Sequence, residues 1–159
     1  MKTKMKTTLI IFNFILLLVL TSFSAFKEES YKKGDYFYLK LAPVDPRSLI
    51  QGDYMILNYE IVDELWARLN NTRNNMKVGY IVAKIDENKV AHFIDVVDKP
   101  FNDKNLIFIK FKSNSYNIKI NADSFLFQEG EAKTYENAKY SKVVIVNNVL
   151  RLVDLVNEI

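Results

Sequence analysis

The side chains able to do chemistry are few in this sequence and lie far apart. His92 is the only histidine and there is no cysteine, which excludes disulfides, thiolate metal ligands and any His-His or His-Cys zinc site. The aspartates are scattered, with no Asp-x-Asp-x-Asp loop to hold calcium. With Gly34, Gly52, Gly79 and Gly130 the only glycines, there is no glycine-rich phosphate loop. Ser48 is a conceivable nucleophile and Lys84 a conceivable base, but no spacing brings them together, and a serine without its base is inert. The expectation is a non-enzymatic chain that needs neither cofactor nor metal.

The most distinctive stretch is Pro43-Val44-Asp45-Pro46-Arg47-Ser48-Leu49-Ile50-Gln51-Gly52-Asp53-Tyr54-Met55-Ile56-Leu57-Asn58-Tyr59. Asp45 can cap a helical turn opened by Pro46, leaving Arg47 to project. Gly52-Asp53 can then turn the chain into a strand over residues 54–59. The string Gly-Asp-Tyr-x-x-Leu-x-Tyr at 52–59 resembles the bacterial GDYXXLXY family, as do Pro43–Leu49 and Phe125–Ala132. The similarity covers most of residues 34–156. It implies a membrane-associated protein, single-pass or joined to a larger multi-helix membrane protein, with no assigned activity. The signature positions it singles out are Asp45, Pro46, Arg47, Gly52, Asp53, Tyr54, Leu57, Tyr59, Glu129 and Gly130.

Two readings compete for the polar members of that set. In one, Arg47 forks onto a carboxylate and the tyrosine hydroxyls satisfy backbone groups, an internal brace. In the other, the same groups line a cleft for an extracytoplasmic ligand or partner. The brace is preferred, because buried polar groups need partners in any fold. Asp-Pro-x-x-Leu-x-x-Gly-Asp also faintly resembles membrane-anchored signal peptidases, but Pro43 stands where their serine nucleophile would be.

Positioning these residues requires a sheet. Short apolar alternations of period 2 recur: Phe37, Leu39 and Leu41; Met55, Leu57 and Tyr59; Ile107, Ile109 and Phe111. Further runs lie at Val78–Ile85, Val90–Val97, Ile118–Ile120, Phe125–Phe127, Val143–Val146 and Val149–Val156. Asp86-Glu87-Asn88-Lys89 and Asn147-Asn148 suit hairpin turns. Val62, Leu65, Trp66 and Leu69 have helical spacing and read as core anchors, and Glu131–Tyr140 offers a second, polar helix. The fold predicted is mainly β, or β-rich α+β. It consists of sequential hairpins in an antiparallel sheet or partly closed barrel, with one or two short helices. Gly34-Asp35-Tyr36 echoes the signature and reads as a similar turn into another strand.

Leu9 to Phe26 carries no charge, and as a helix it would extend roughly 27 Å, enough to cross a bilayer. Lys2, Lys4 and Lys6 precede it and favour a cytoplasmic start. The predicted layout is residues 1–8 in the cytoplasm, 9–26 a transmembrane signal-anchor and 27–159 an extracytoplasmic domain. Two alternatives are a signal peptide cleaved after Ser24 and a buried core helix. Those three lysines account for the whole net charge of +3, so the remainder is neutral and nucleic-acid binding is not expected. The function expected is a membrane-anchored module that binds or stabilises a multi-pass membrane partner. A small-ligand sensor whose aromatic cleft uses Arg47 is the alternative, and a degenerate peptidase-like domain the weaker one.

Overall fold

Alternation of residue type along the chain becomes alternation of burial in the structure, a computed structural model. It describes residues 11–19, 21–22, 35–42, 50–51, 54–72, 76–114, 116–128, 130–146 and 148–159. The chain divides into two units, Met1–Gly34 and Asp35–Ile159.

In the first unit, residues 11–19 and 21–22 are helical and every one of them is exposed. The Thr21 hydroxyl bonds back to the carbonyls of Leu17 and Leu18, each at 3.0 Å. Among the described residues no helix is long and apolar enough to cross a membrane.

The second unit is mainly β. Its strands are β1 (Tyr36–Lys40), β2 (Ile50–Gln51), β3 (Tyr54–Ile56), β4 (Val78–Ile85), β5 (Ala91–Val97), β6 (Ile107–Ser113), β7 (Ile118–Lys119), β8 (Ser124–Leu126), β9 (Tyr140–Val146) and β10 (Val149–Val156). Its helices are α1 (Glu60–Asn71) and α2 (Ala132–Tyr135). Three sheets form, in the orders β1-β9-β10, β2-β3-β8 and β5-β4-β6-β7, and every pairing between these strands is antiparallel. They do not close into a barrel.

Sequential hairpins join β2 to β3, β4 to β5, β6 to β7 and β9 to β10. The pairings β1 with β9, β3 with β8 and β4 with β6 are non-local, which corrects the expectation of a sheet built from hairpins alone. The expected turns take the conformations their residues allow: Lys89 has φ 62° and Asn148 φ 60°. Asp86 stabilises its turn by accepting from the N–H groups of Asn88 (2.9 Å) and Val90 (2.8 Å).

The core gathers Phe37 and Leu39 of β1, Met55, Leu57 and Tyr59, Ile81 of β4, Ile109 and Phe111 of β6, and Val143 and Leu150 of the last hairpin. Helix α1 contributes Ile61, Leu65 and Leu69. Glu60 and Asp63 in its first turn and Arg68 in its last complement the helix dipole. Arg68 also reaches Asp95 of β5 at 3.1 Å.

Two expectations for the helices need correction. Trp66 is 39% exposed rather than a core anchor, because the stripe that enters the core runs i, i+4, i+8 through Ile61, Leu65 and Leu69 and leaves Trp66 on its flank. The polar helix stops at Tyr135, since Tyr140 is drawn into β9 by pairing with Lys40 and Val156.

Candidate functional site

The strand expected over residues 54–59 pairs only as far as Ile56, but burial alternates strictly through the whole segment. Tyr54, Ile56 and Asn58 are exposed, while Met55, Leu57 and Tyr59 are buried. Leu57 and Tyr59 therefore belong to the core, and Tyr54 to the surface.

Tyr59 ties three parts of the fold together. Its backbone bridges Leu41, and its carbonyl receives the N–H groups of Val62 (3.0 Å) and Asp63 (3.2 Å) at the start of α1. Its buried hydroxyl donates to the Ala122 carbonyl at 2.6 Å. Burial pushes the phenol well above its ordinary pKa, and the charge of Asp123 adds to this, while the nearby Ser141 hydroxyl pulls the other way. Such a phenol is a neutral donor across the physiological range and is useless as a base.

Gly130 has φ +90°, a left-handed conformation that suits glycine, with open space where a Cβ would stand. Asp45, Pro46, Arg47, Gly52, Asp53 and Glu129 lie outside the described residues, as does Ser48. Lys84 is exposed on β4 opposite His92 of β5. The Nε2 of His92 lies 2.9 Å from Oδ2 of Asp86, and this contact, followed by the Val90 N–H, holds the Asp86 carboxyl below the usual range. Among the described residues no group of three or more His, Asp or Glu could hold a metal ion.

Two cavities share Leu57 and Asn58 in their walls. One, of about 370 Å³, has Met55 and Tyr135 in its lining and the Lys40–Glu60 ion pair (2.8 Å) at its rim. The other, of about 290 Å³, brings Ile56 together with Val62 and Trp66 of α1 and with Tyr116. Beyond this second groove the apolar surface continues along the outer face of β3, where Tyr54 stands opposite Leu126 of β8. Leu126 is 77% exposed and Tyr116 93%.

Reading the sequence alone did not find this surface, although Ile56 carried a signal: an apolar residue on the outward phase of an otherwise alternating strand. A second grouping was also missed, in which Lys110, Lys112 and Lys119 line one cavity; the turn between β6 and β7 separates them in sequence.

Comparison with known proteins agrees with the signature. The sequence model described as GDYXXLXY protein matches residues 16–150. No curated protein and no solved structure matches the chain.

Proposed function

We propose that this chain, which belongs to the GDYXXLXY family, is a membrane-anchored, non-enzymatic module. Its β unit lies outside the cytoplasm and binds or stabilises an integral membrane partner. Residues 1–8 remain in the cytoplasm, 9–26 form the anchor and 27–159 are exported.

The observation that carries this reading is the helical stretch at residues 11–19. Eight of its side chains are large hydrophobics, from Ile11 to Val19, and they are between 46% and 64% exposed. A helix that is apolar all round is not stable in water and needs lipid or another protein around it. Leu9–Phe26 is uncharged throughout and follows Lys2, Lys4 and Lys6, which favours a cytoplasmic start. The apolar surface formed by Tyr54, Ile56, Trp66, Tyr116 and Leu126 supports partner binding. Tyr54, Ile56 and Leu126 sit at strand ends, Tyr116 in the turn between β6 and β7 and Trp66 on the flank of α1, and aromatic residues with one polar end are favoured at interfaces.

Because the chain has no cysteine, single cysteines report topology without background. Tyr116→Cys should react with a membrane-impermeant maleimide in cells whose cytoplasmic membrane is intact, and the protein should stay with membranes after an alkaline wash. Labelling seen only after lysis would overturn the orientation, and release by the wash would overturn the anchor. A photoreactive residue in place of Leu126 should crosslink to one multi-pass protein. Crosslinking to lipid alone would refute the partner.

A further inference from the structure

Strand β6 alternates buried Ile109 and Phe111 with exposed Lys110 and Lys112. The register of β7 then sets Lys119 directly opposite Lys112. Directly opposed residues of an antiparallel pair have Cβ atoms about 4.5–5.5 Å apart, and like charges so placed are destabilising. Lys110 lies two residues along the same face, roughly 7 Å away. None of the three forms an ion pair among the described residues.

These three lysines line a single cavity of about 360 Å³ whose walls also include the buried Phe111 and Leu150. Asn121 and Asn148 complete the polar wall, and the Asn121 amide is fixed by donating to the Leu150 carbonyl at 3.2 Å. One carboxylate, Asp123, also lines the cavity, but its two oxygens accept the backbone N–H groups of Ile120 and Asn121, each at 3.2 Å. Three cations thus face one carboxylate that its own loop already engages. Lysine on an edge strand commonly serves to discourage sheet extension, a use that fits Lys119. Lys112 guards no edge, since Val78 of β4 pairs with it on one side and Lys119 on the other.

We propose that this cavity is a binding site for a phosphate-bearing anion, either a small soluble phosphate compound or the headgroup of an anionic phospholipid. A multivalent oxyanion can accept from three lysines of one cavity at once, and its entry offsets the repulsion between Lys112 and Lys119. The site stands independently of the partner-binding reading.

The test uses the full chain in detergent, with inorganic pyrophosphate as the probe and thermal unfolding at low salt as the readout. Pyrophosphate should raise the melting temperature. Lys112→Gln and Lys119→Gln should each weaken the apparent affinity about tenfold, the effect of losing one charge-assisted hydrogen bond. Without ligand both variants should melt at or above the wild-type temperature, because an opposed pair of like charges is gone; a purely structural role would move them the other way. Lys104→Gln, exposed and off the cavity, should respond to pyrophosphate as wild type does.

Repeating the titration after reconstitution separates the two sources. Loss of the pyrophosphate response in phosphatidylglycerol vesicles, but not in phosphatidylcholine vesicles, would assign the phosphate to a headgroup. An equal response in both would assign it to a soluble compound. No stabilisation by pyrophosphate, or undiminished stabilisation of both glutamine variants, would overturn the site.

Discussion

Replacing Tyr59 by Phe removes one oxygen atom from the centre of the fold and has an effect that depends on pH in a calculable way. At neutral pH the loss is that of a buried hydrogen bond whose acceptor, the carbonyl of Ala122, is left behind in a residue that is itself buried. A lost bond with a stranded acceptor costs about 1–3 kcal/mol. For a unit of this size that lowers the melting temperature by roughly 3–12 °C.

At alkaline pH the difference between the two proteins shrinks. In the unfolded chain Tyr59 ionises near pH 10. In the fold its pKa is raised, so the native state holds the proton where the unfolded state has released it. The resulting stability is fully present below the unfolded pKa and is lost as pH rises toward the folded one. If the phenol stays protonated in the fold, wild type should lose about 1.4 kcal/mol between pH 9 and 11 that Tyr59→Phe does not lose. Urea unfolding of both proteins at pH 7, 9 and 11 would measure this, since every other titrating group is common to the pair. The gap between them should narrow by that amount. Parallel stability curves would mean that Tyr59 ionises within the folded state, and the buried donor described above would be wrong.

Other perturbations separate core from surface. Leu65→Ala should cost about 2–5 kcal/mol because Leu65 is fully buried on α1, whereas Trp66→Ala one residue away should cost clearly less; chemical denaturation ranks them. Gly79→Ala should destabilise by about 1–3 kcal/mol, since the new methyl would collide with the Met76 sulfur and stand 3.0 Å from two atoms of the Phe111 ring. Asp86→Asn should flatten the acid limb of stability. The depressed carboxyl contributes stability above its unfolded pKa near 4 and loses it as pH falls through the folded value, so melting curves between pH 2 and 6 should diverge above the transition and converge below it.

Much of the β architecture was legible because its strands are long and end in residues suited to turns. The alternating runs Val78–Ile85 and Val149–Val156 coincide with β4 and β10, each next to a left-handed Lys89 or Asn148. The two-residue strand β2 carries no period of its own and was not read, whereas β7, equally short, fell within the apolar run Ile118–Ile120. Partner choice was also hidden: β1 joins β9 and β3 joins β8 through registers that no local pattern encodes. The face of α1 was misjudged by about one residue because Trp66 has the size of a core residue, while burial follows the narrower stripe of Ile61, Leu65 and Leu69. Within the signature, alternation alone assigns Leu57 and Tyr59 inward and Tyr54 outward. The lysine cavity needed the register of β6 against β7 before its members met.

The placement of β1 sets an order of events during synthesis. Tyr36 finds its partner in Val144 and Lys40 in Tyr140, so the earliest strand of the β unit leaves the ribosome long before the strand it will join. At roughly 5–20 residues per second, that delay is on the order of 5–20 s. Throughout it the nascent segment has an open edge and no sheet to enter. A chain stopped short of Tyr140 would leave that edge open permanently, exposed to proteases and to other growing chains.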